Sequence, residues 1–143
     1  MDEPRAVVSR FIELAWNEGR LDDAATCLAP DLVDHDALDF PGRVTGARGL
    51  LQVVAMIRAG LPDLERRVEV QLVDGDTVTT RFVDEATHTG ELMGIPPTGR
   101  RVRVRGMNIE RVRDGRIAEL WHIEDMAGLM AQLSDPLPDR PTG

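Results

Sequence analysis

The chain carries two Asp-Gly pairs, Asp74-Gly75 and Asp114-Gly115, and each divides two runs whose apolar residues recur at every second position. RRVEVQLV and TVTTRFVDEATH flank the first pair, RRVRVRGMNIERV and RIAELWHIED the second. Asp-Gly is a favoured centre for a two-residue hairpin loop, because both central residues of that turn take positive φ. The second half therefore predicts two β-hairpins, separated by the loop GIPPTG from Gly94 to Gly99.

The first half has a different rhythm. Val7, Val8, Phe11, Ile12 and Ala15 fall on one helical stripe after Pro4, which suits a first turn, so a helix is expected over 4–17. A second, short helix is expected from Leu21 and a brief strand or extended segment at LVDHDAL. A third helix follows on the stripe Leu50, Leu51, Val54, Ile57 and Leu61, stopped by Gly60 and Pro62. Helices followed by an antiparallel sheet make the class α+β, with the helices gathered on one face. A chain of 143 residues fits a single domain, expected over 1–134, with a flexible polar tail over 135–143.

Strand alternation sorts the candidate functional groups. In WHIED, Trp121, Ile123 and Asp125 share one face, while His122 and Glu124 share the other. A carboxylate beside an indole and an isoleucine suggests a pocket, where desolvation would raise its pKa into the range of an acid/base catalyst. Asp125 is the expected catalytic residue on this reading. The competing account is that Asp125 caps a helix beginning at Met126. With a two-residue turn at Asp114-Gly115, Asp125 also shares its face with Asn108, Val104 and Gly106, but with Glu110 and Glu119 too. A bulge would exchange some of these faces. The same construction at Asp74-Gly75 sets Arg81 on a face with Val68, Val70 and Leu72, which makes Arg81 a pocket candidate.

The three histidines are His35, His88 and His122. His35 stands between Asp34 and Asp36, but alternation turns both carboxylates away from it, and no metal is expected. His88 is expected at a pocket rim, and His122 on the convex face. That face, with Ile109, Leu120 and Met107, is where a homodimer or higher homo-oligomer is expected to form. Arg101, Arg103 and Arg105 are read as a solvated sheet face with cross-strand partners.

All 17 basic residues are arginines and tyrosine is absent, which removes Schiff-base lysines and tyrosine proton donors. A formal charge of −8 disfavours nucleic acid and anionic membranes as partners. The acidic N-terminus lacks the pattern of a signal peptide, so a cytoplasmic location is expected. Single Cys27 reads as a small buried residue. No phosphate loop, GxSxG or dinucleotide fingerprint occurs, and no cofactor is expected.

Three stretches carry a resemblance: VVSRFIELAWNEGRLDDAATCLAPDLVDHDA, HTGELMGIPPTGRRV and RVRDGRIAELWHIEDMAGLMAQL. From about residue 5 to 133 the sequence resembles the SnoaL-like polyketide (ester) cyclase family. The resemblance implies a cone-shaped α+β barrel of the nuclear transport factor type, its curved antiparallel sheet wrapped around the N-terminal helices and an apolar pocket. It also implies cofactor-independent intramolecular aldol condensation of a polyketide-like substrate. Through W-x-x-x-D, it implies Asp125 as acid/base, with His35, His88 and Trp121 near the pocket. In such a mechanism Arg81, Asn108 or a histidine is expected to bind the enolate oxygen, in place of the tyrosine this chain lacks. Other chemistries remain open on such a fold: an epoxide hydrolase, a cofactor-independent hydroxylase, or a non-catalytic small-molecule binding module.

Overall fold

The computed structural model describes residues 3–134, so the expected tail over 135–143 lies outside the described residues. Helix α1 (Pro4–Phe11) continues as a π-helical turn over Ile12–Asn17, which together match the expected first helix. Short α2 (Leu21–Ala24) leads through a 3-10 turn into strand β1 (Leu28–Asp34), and α3 spans Gly46–Gly60. The hairpins are β2 (Glu65–Asp74) with β3 (Thr77–Thr87), and β4 (Arg101–Arg113) with β5 (Arg116–Glu124). Helix α4 (Met126–Ser134) closes the described chain.

The five strands form one curved, open sheet in the order β1-β5-β4-β3-β2. It is mixed: β1 runs parallel to β5, whereas every other pairing is antiparallel. The helices line its inner face, where Val7, Val8, Phe11, Val54, Val78, Ile117 and Leu129 are buried. No helix among the described residues is long and apolar enough to cross a membrane.

Two bulges decide what each hairpin presents inward. The Asp114-Gly115 turn has the expected register at first, with Arg113 opposite Arg116, whereas the first hairpin turns one residue later than expected, on Gly75-Asp76, with Asp74 opposite Thr77. In β5, Ile117 pairs with Val112 but Glu119 already pairs with Arg111, so Ala118 is one residue more than β4 can match. Such an insertion reverses the facing of everything beyond it. Ile117 and Leu120 are both buried, three positions apart, which unbroken alternation forbids. From Leu120 onward the even-numbered residues face in: Leu120 opposite Glu110, His122 opposite Asn108 and Glu124 opposite Gly106.

The second bulge is at Glu69, between Val68 opposite Phe82 and Val70 opposite Arg81. The face shared by Val70, Leu72 and Arg81 is the outer one, with Leu72 65% exposed. Phe82, Thr80 and Val78 point inward instead and are fully buried. Arg101 and Arg103 form the solvated face expected of them, with ion pairs to Asp63 at 3.2 Å and Glu85 at 3.6 Å.

Where β5 ends, α4 takes over its partnering of β4. The Gln132 side chain accepts the Arg103 N–H at 2.8 Å and donates to the Arg103 carbonyl at 2.8 Å, as a neighbouring strand would. This contact fixes α4 across the end of the inner face, where Met126 and Leu129 complete a cavity wall.

Candidate active site

The inner face and helices form a pocket that is open at its mouth. The helices supply an apolar lining that includes Phe11, Trp16, Leu50, Val53, Ile57 and Leu129, while Leu38 approaches from the loop between β1 and α3. The polar groups all come from the sheet: Asp34, Arg66, Asp84, Asn108, Glu110, His122 and Glu124. A largely apolar chamber with one polar wall suits an organic guest whose reacting end meets that wall.

His122 is the centre of one polar cluster. Its Nδ1 lies 2.7 Å from Glu124 and its Nε2 3.1 and 3.2 Å from the two oxygens of Asp34. Burial acts to lower the imidazole pKa, but hydrogen bonds and charge from Asp34 and Glu124 outweigh it and push the pKa up to about 10. His122 is therefore an imidazolium at neutral pH. The longer, divided contact at Nε2 is the one for which a substrate oxygen can compete.

The Asp34-His35-Asp36 segment builds this cluster by alternation. Asp34 reaches inward to His122, and Asp36 accepts the His122 backbone N–H at 2.9 Å. His35 turns outward, where it stacks on Trp121 with ring centroids 4.5 Å apart and meets Glu119 at 2.9 Å. Asp34 thus supports the site from β1, a role hidden in the sequence because its partner lies 88 residues away.

Arg66 forms the second cluster. Its Nε and Nη2 donate to the two Asp84 oxygens at 2.8 and 2.9 Å, and its guanidinium lies between Trp16 and Phe82, 4.1 and 3.6 Å from the ring centroids. Arg66 is held by this bidentate pair and two aromatic faces, geometry for which lysine is no substitute. Gly106 leaves room for the arrangement. A Cβ there would stand 2.5 Å from Phe82 Cζ and 2.9 Å from the Ile123 carbonyl.

Between the clusters stand Asn108 and Glu110, neighbours on the inner face of β4, 7% and 2% exposed. Asn108 Oδ1 and Glu110 Oε1 have no hydrogen-bond partner. Burial pushes the Glu110 carboxyl up to about 7, opposed by the charges of Arg66 and His122.

Of the six expected site residues, the pocket contains Asn108 alone. Asp125 is exposed and caps α4, its Oδ1 accepting the Gly128 N–H at 2.8 Å. The face it shares with Trp121 and Ile123 is outside, because the Ala118 bulge reverses the one assumed from the turn. Trp121 follows it outward, and so does His35. Arg81 is exposed and pairs with Glu69 at 3.3 Å. His88 is fully buried away from the pocket, where Nδ1 meets the Thr98 hydroxyl at 2.9 Å and accepts the Thr98 N–H at 3.2 Å. It fastens the GIPPTG loop. Leu120 and His122, expected on the convex face, are inside. Among the described residues no three His, Cys, Asp or Glu side chains are grouped to hold a metal ion.

Comparison with known proteins agrees with this chamber. The family profile described as SnoaL-like polyketide cyclase matches residues 6–133. The nogalonic acid methyl ester cyclase of Streptomyces nogalater is 34% identical over 126 residues, covering 87% of this chain and 93% of that one. The aklanonic acid methyl ester cyclase AcmA of Streptomyces galilaeus is 32% identical, covering 97% and 96%. Among solved structures, wild-type IdmH from Streptomyces antibioticus superimposes with a TM-score of 0.80 at 37% identity, covering 94% of this chain and all of that one. Sequence, sheet order and enclosed pocket thus lead to one assignment: the chain belongs to the SnoaL-like polyketide cyclase family.

Proposed function

We propose that this protein closes a ring in a polyketide methyl ester by cofactor-independent intramolecular aldol addition, with His122 as the acid. The observation that carries the reading is the His122 imidazolium, held by Asp34 and Glu124 at the polar wall of an otherwise apolar chamber. The names of two relatives, both methyl ester cyclases, supply the substrate class.

In such a reaction a carbon acidified by a neighbouring ester loses a proton, and the enolate carbon attacks a carbonyl in the same molecule. The carbonyl electron pair becomes an alkoxide. His122 Nε2 donates its proton to that oxygen, and the charge of Arg66 favours the negative intermediates. The pocket contributes by folding the substrate so that its two ends meet away from water.

Addition of this kind leaves molecular mass unchanged, which defines the test. Purified protein is incubated with nogalonic acid methyl ester and with aklanonic acid methyl ester, and products are followed by chromatography and mass spectrometry. An isomer of unchanged mass is expected from at least one ester. Its absence from both, or a product heavier by one oxygen or one water, would overturn the reading.

A further inference from the structure

We propose that Glu110, shut into the pocket wall with Oε1 unpartnered, is the base that takes the proton from the substrate carbon. This rests on the ring-closure reading above and names a second catalytic residue for it.

A buried carboxyl without a hydrogen bond is costly, and a fold that needed only packing at this position would use an apolar side chain. Its cross-strand neighbours are apolar, Val78 on β3 and Leu120 on β5. The charged groups around this wall are Arg66 from β2 with Asp84 from β3, His122 and Glu124 from β5, and Asp34 from β1. The helices bring only apolar lining side chains to the pocket. Arg66 is already engaged by Asp84 and His122 by Asp34 and Glu124, which leaves Oε1 of Glu110 free to meet a ligand.

Placement also separates base from acid. Glu110 stands opposite Leu120, and His122 lies two residues further along β5, so the two groups are about 7 Å apart along the strands. The reacting carbon and the carbonyl oxygen it generates can lie between them. Glu110 as carboxylate removes the carbon proton and becomes the acid form. The C–H electron pair forms the new carbon–carbon bond, the carbonyl π pair moves to oxygen, and His122 gives that oxygen a proton. On product release, Glu110 returns one proton to solvent and His122 recovers one, so no co-reactant is consumed. Burial that holds the carboxyl near 7 suits this task, because both forms are then accessible at neutral pH.

The decisive experiment is proton exchange in deuterium oxide on a methyl ester analogue that has the acidic carbon but no internal carbonyl, run beside ring closure of the full ester. Wild-type protein is expected to exchange the carbon-bound hydrogen, and Glu110→Gln to lose at least a hundredfold in both rates. A smaller loss in exchange overturns the proposal. Wild-type ring closure with a Glu110→Gln variant equally active would defeat this assignment and leave the cyclase reading standing. Exchange that depends on Glu110 without ring closure would defeat the cyclase reading and keep the base. Should Glu110→Gln not fold, the wild type decides: exchange should rise tenfold per pH unit up to about pH 7 and then level. A rate flat from pH 5 to 9 overturns the proposal.

Discussion

Asn108 of β4 stands directly across from His122 of β5 because β5 has inserted one residue, Ala118, between their shared turn and this pair. Without the insertion Asn108 would face Trp121, and the indole would occupy the pocket wall in place of the imidazole. The chemistry available to the pocket therefore depends on one bulge.

Replacing His122 with Asn should lower kcat for ring closure by about a hundredfold or more, since the proton donor is removed while the shape is roughly kept. KM should change little. Steady-state kinetics on the methyl ester substrate measures both, and a variant within tenfold of wild type would exclude His122 as the acid.

Asp34→Asn should weaken the hold on the His122 proton. In wild type the acid form persists until pH approaches about 10, because both carboxylates outweigh burial. With one carboxylate neutralised, the basic limb of the kcat profile should move down towards the ordinary histidine value by at least one pH unit. The same raised pKa stabilises the fold: its contribution is complete below about 6.5 and disappears as pH rises through about 10.

Glu110 adds a decline in stability of the same sign, at lower pH. Its folded pKa, about 7, exceeds the ordinary 4.5, so the fold favours the protonated form. That favourable contribution is complete below about 4.5 and declines as pH rises through about 7, a total on the order of 3 kcal/mol. Glu110→Gln should remove the decline, making the variant more stable than wild type at pH 8 relative to pH 4.5. Urea unfolding at the two pH values measures it.

Asp125→Ala should cost about 1 kcal/mol of stability through loss of the α4 cap while leaving ring closure within about threefold. Thermal unfolding and kcat together check this. A hundredfold loss of activity in a folded Asp125→Ala protein would return Asp125 to the catalytic group.

The outer sheet face carries two largely apolar rows, Val70-Arg81-Met107-Ile123 and Leu72-Thr79-Ile109-Trp121, with Ile123 72% exposed. This face predicts self-association through stacked sheets. Wild-type protein should behave as a dimer or larger assembly in light scattering, and Ile123→Glu should shift it to monomer. An unchanged mass would place any interface elsewhere.

What the sequence determined by itself is local. Pro4 and the stripe through Phe11, the Asp-Gly turns and the period-two runs depend on nearest neighbours and one buried face, and they specified helices, hairpins and class. Alternation was local too: the separation of His122 and Glu124 from Trp121, Ile123 and Asp125 is present in the structure. Which of those faces meets the core was decided by tertiary structure. Ala118 is small and half-buried, with nothing in its type to announce a bulge, and only pairing with β4 and packing of Ile117 and Leu120 against the helices reveal it. Asp34 and Arg66 remained equally hidden, because a carboxylate 88 residues from its imidazole and a guanidinium between two aromatic rings become visible only once distant strands are neighbours. Parity is a property of the backbone; inside and outside are properties of what the sheet packs against.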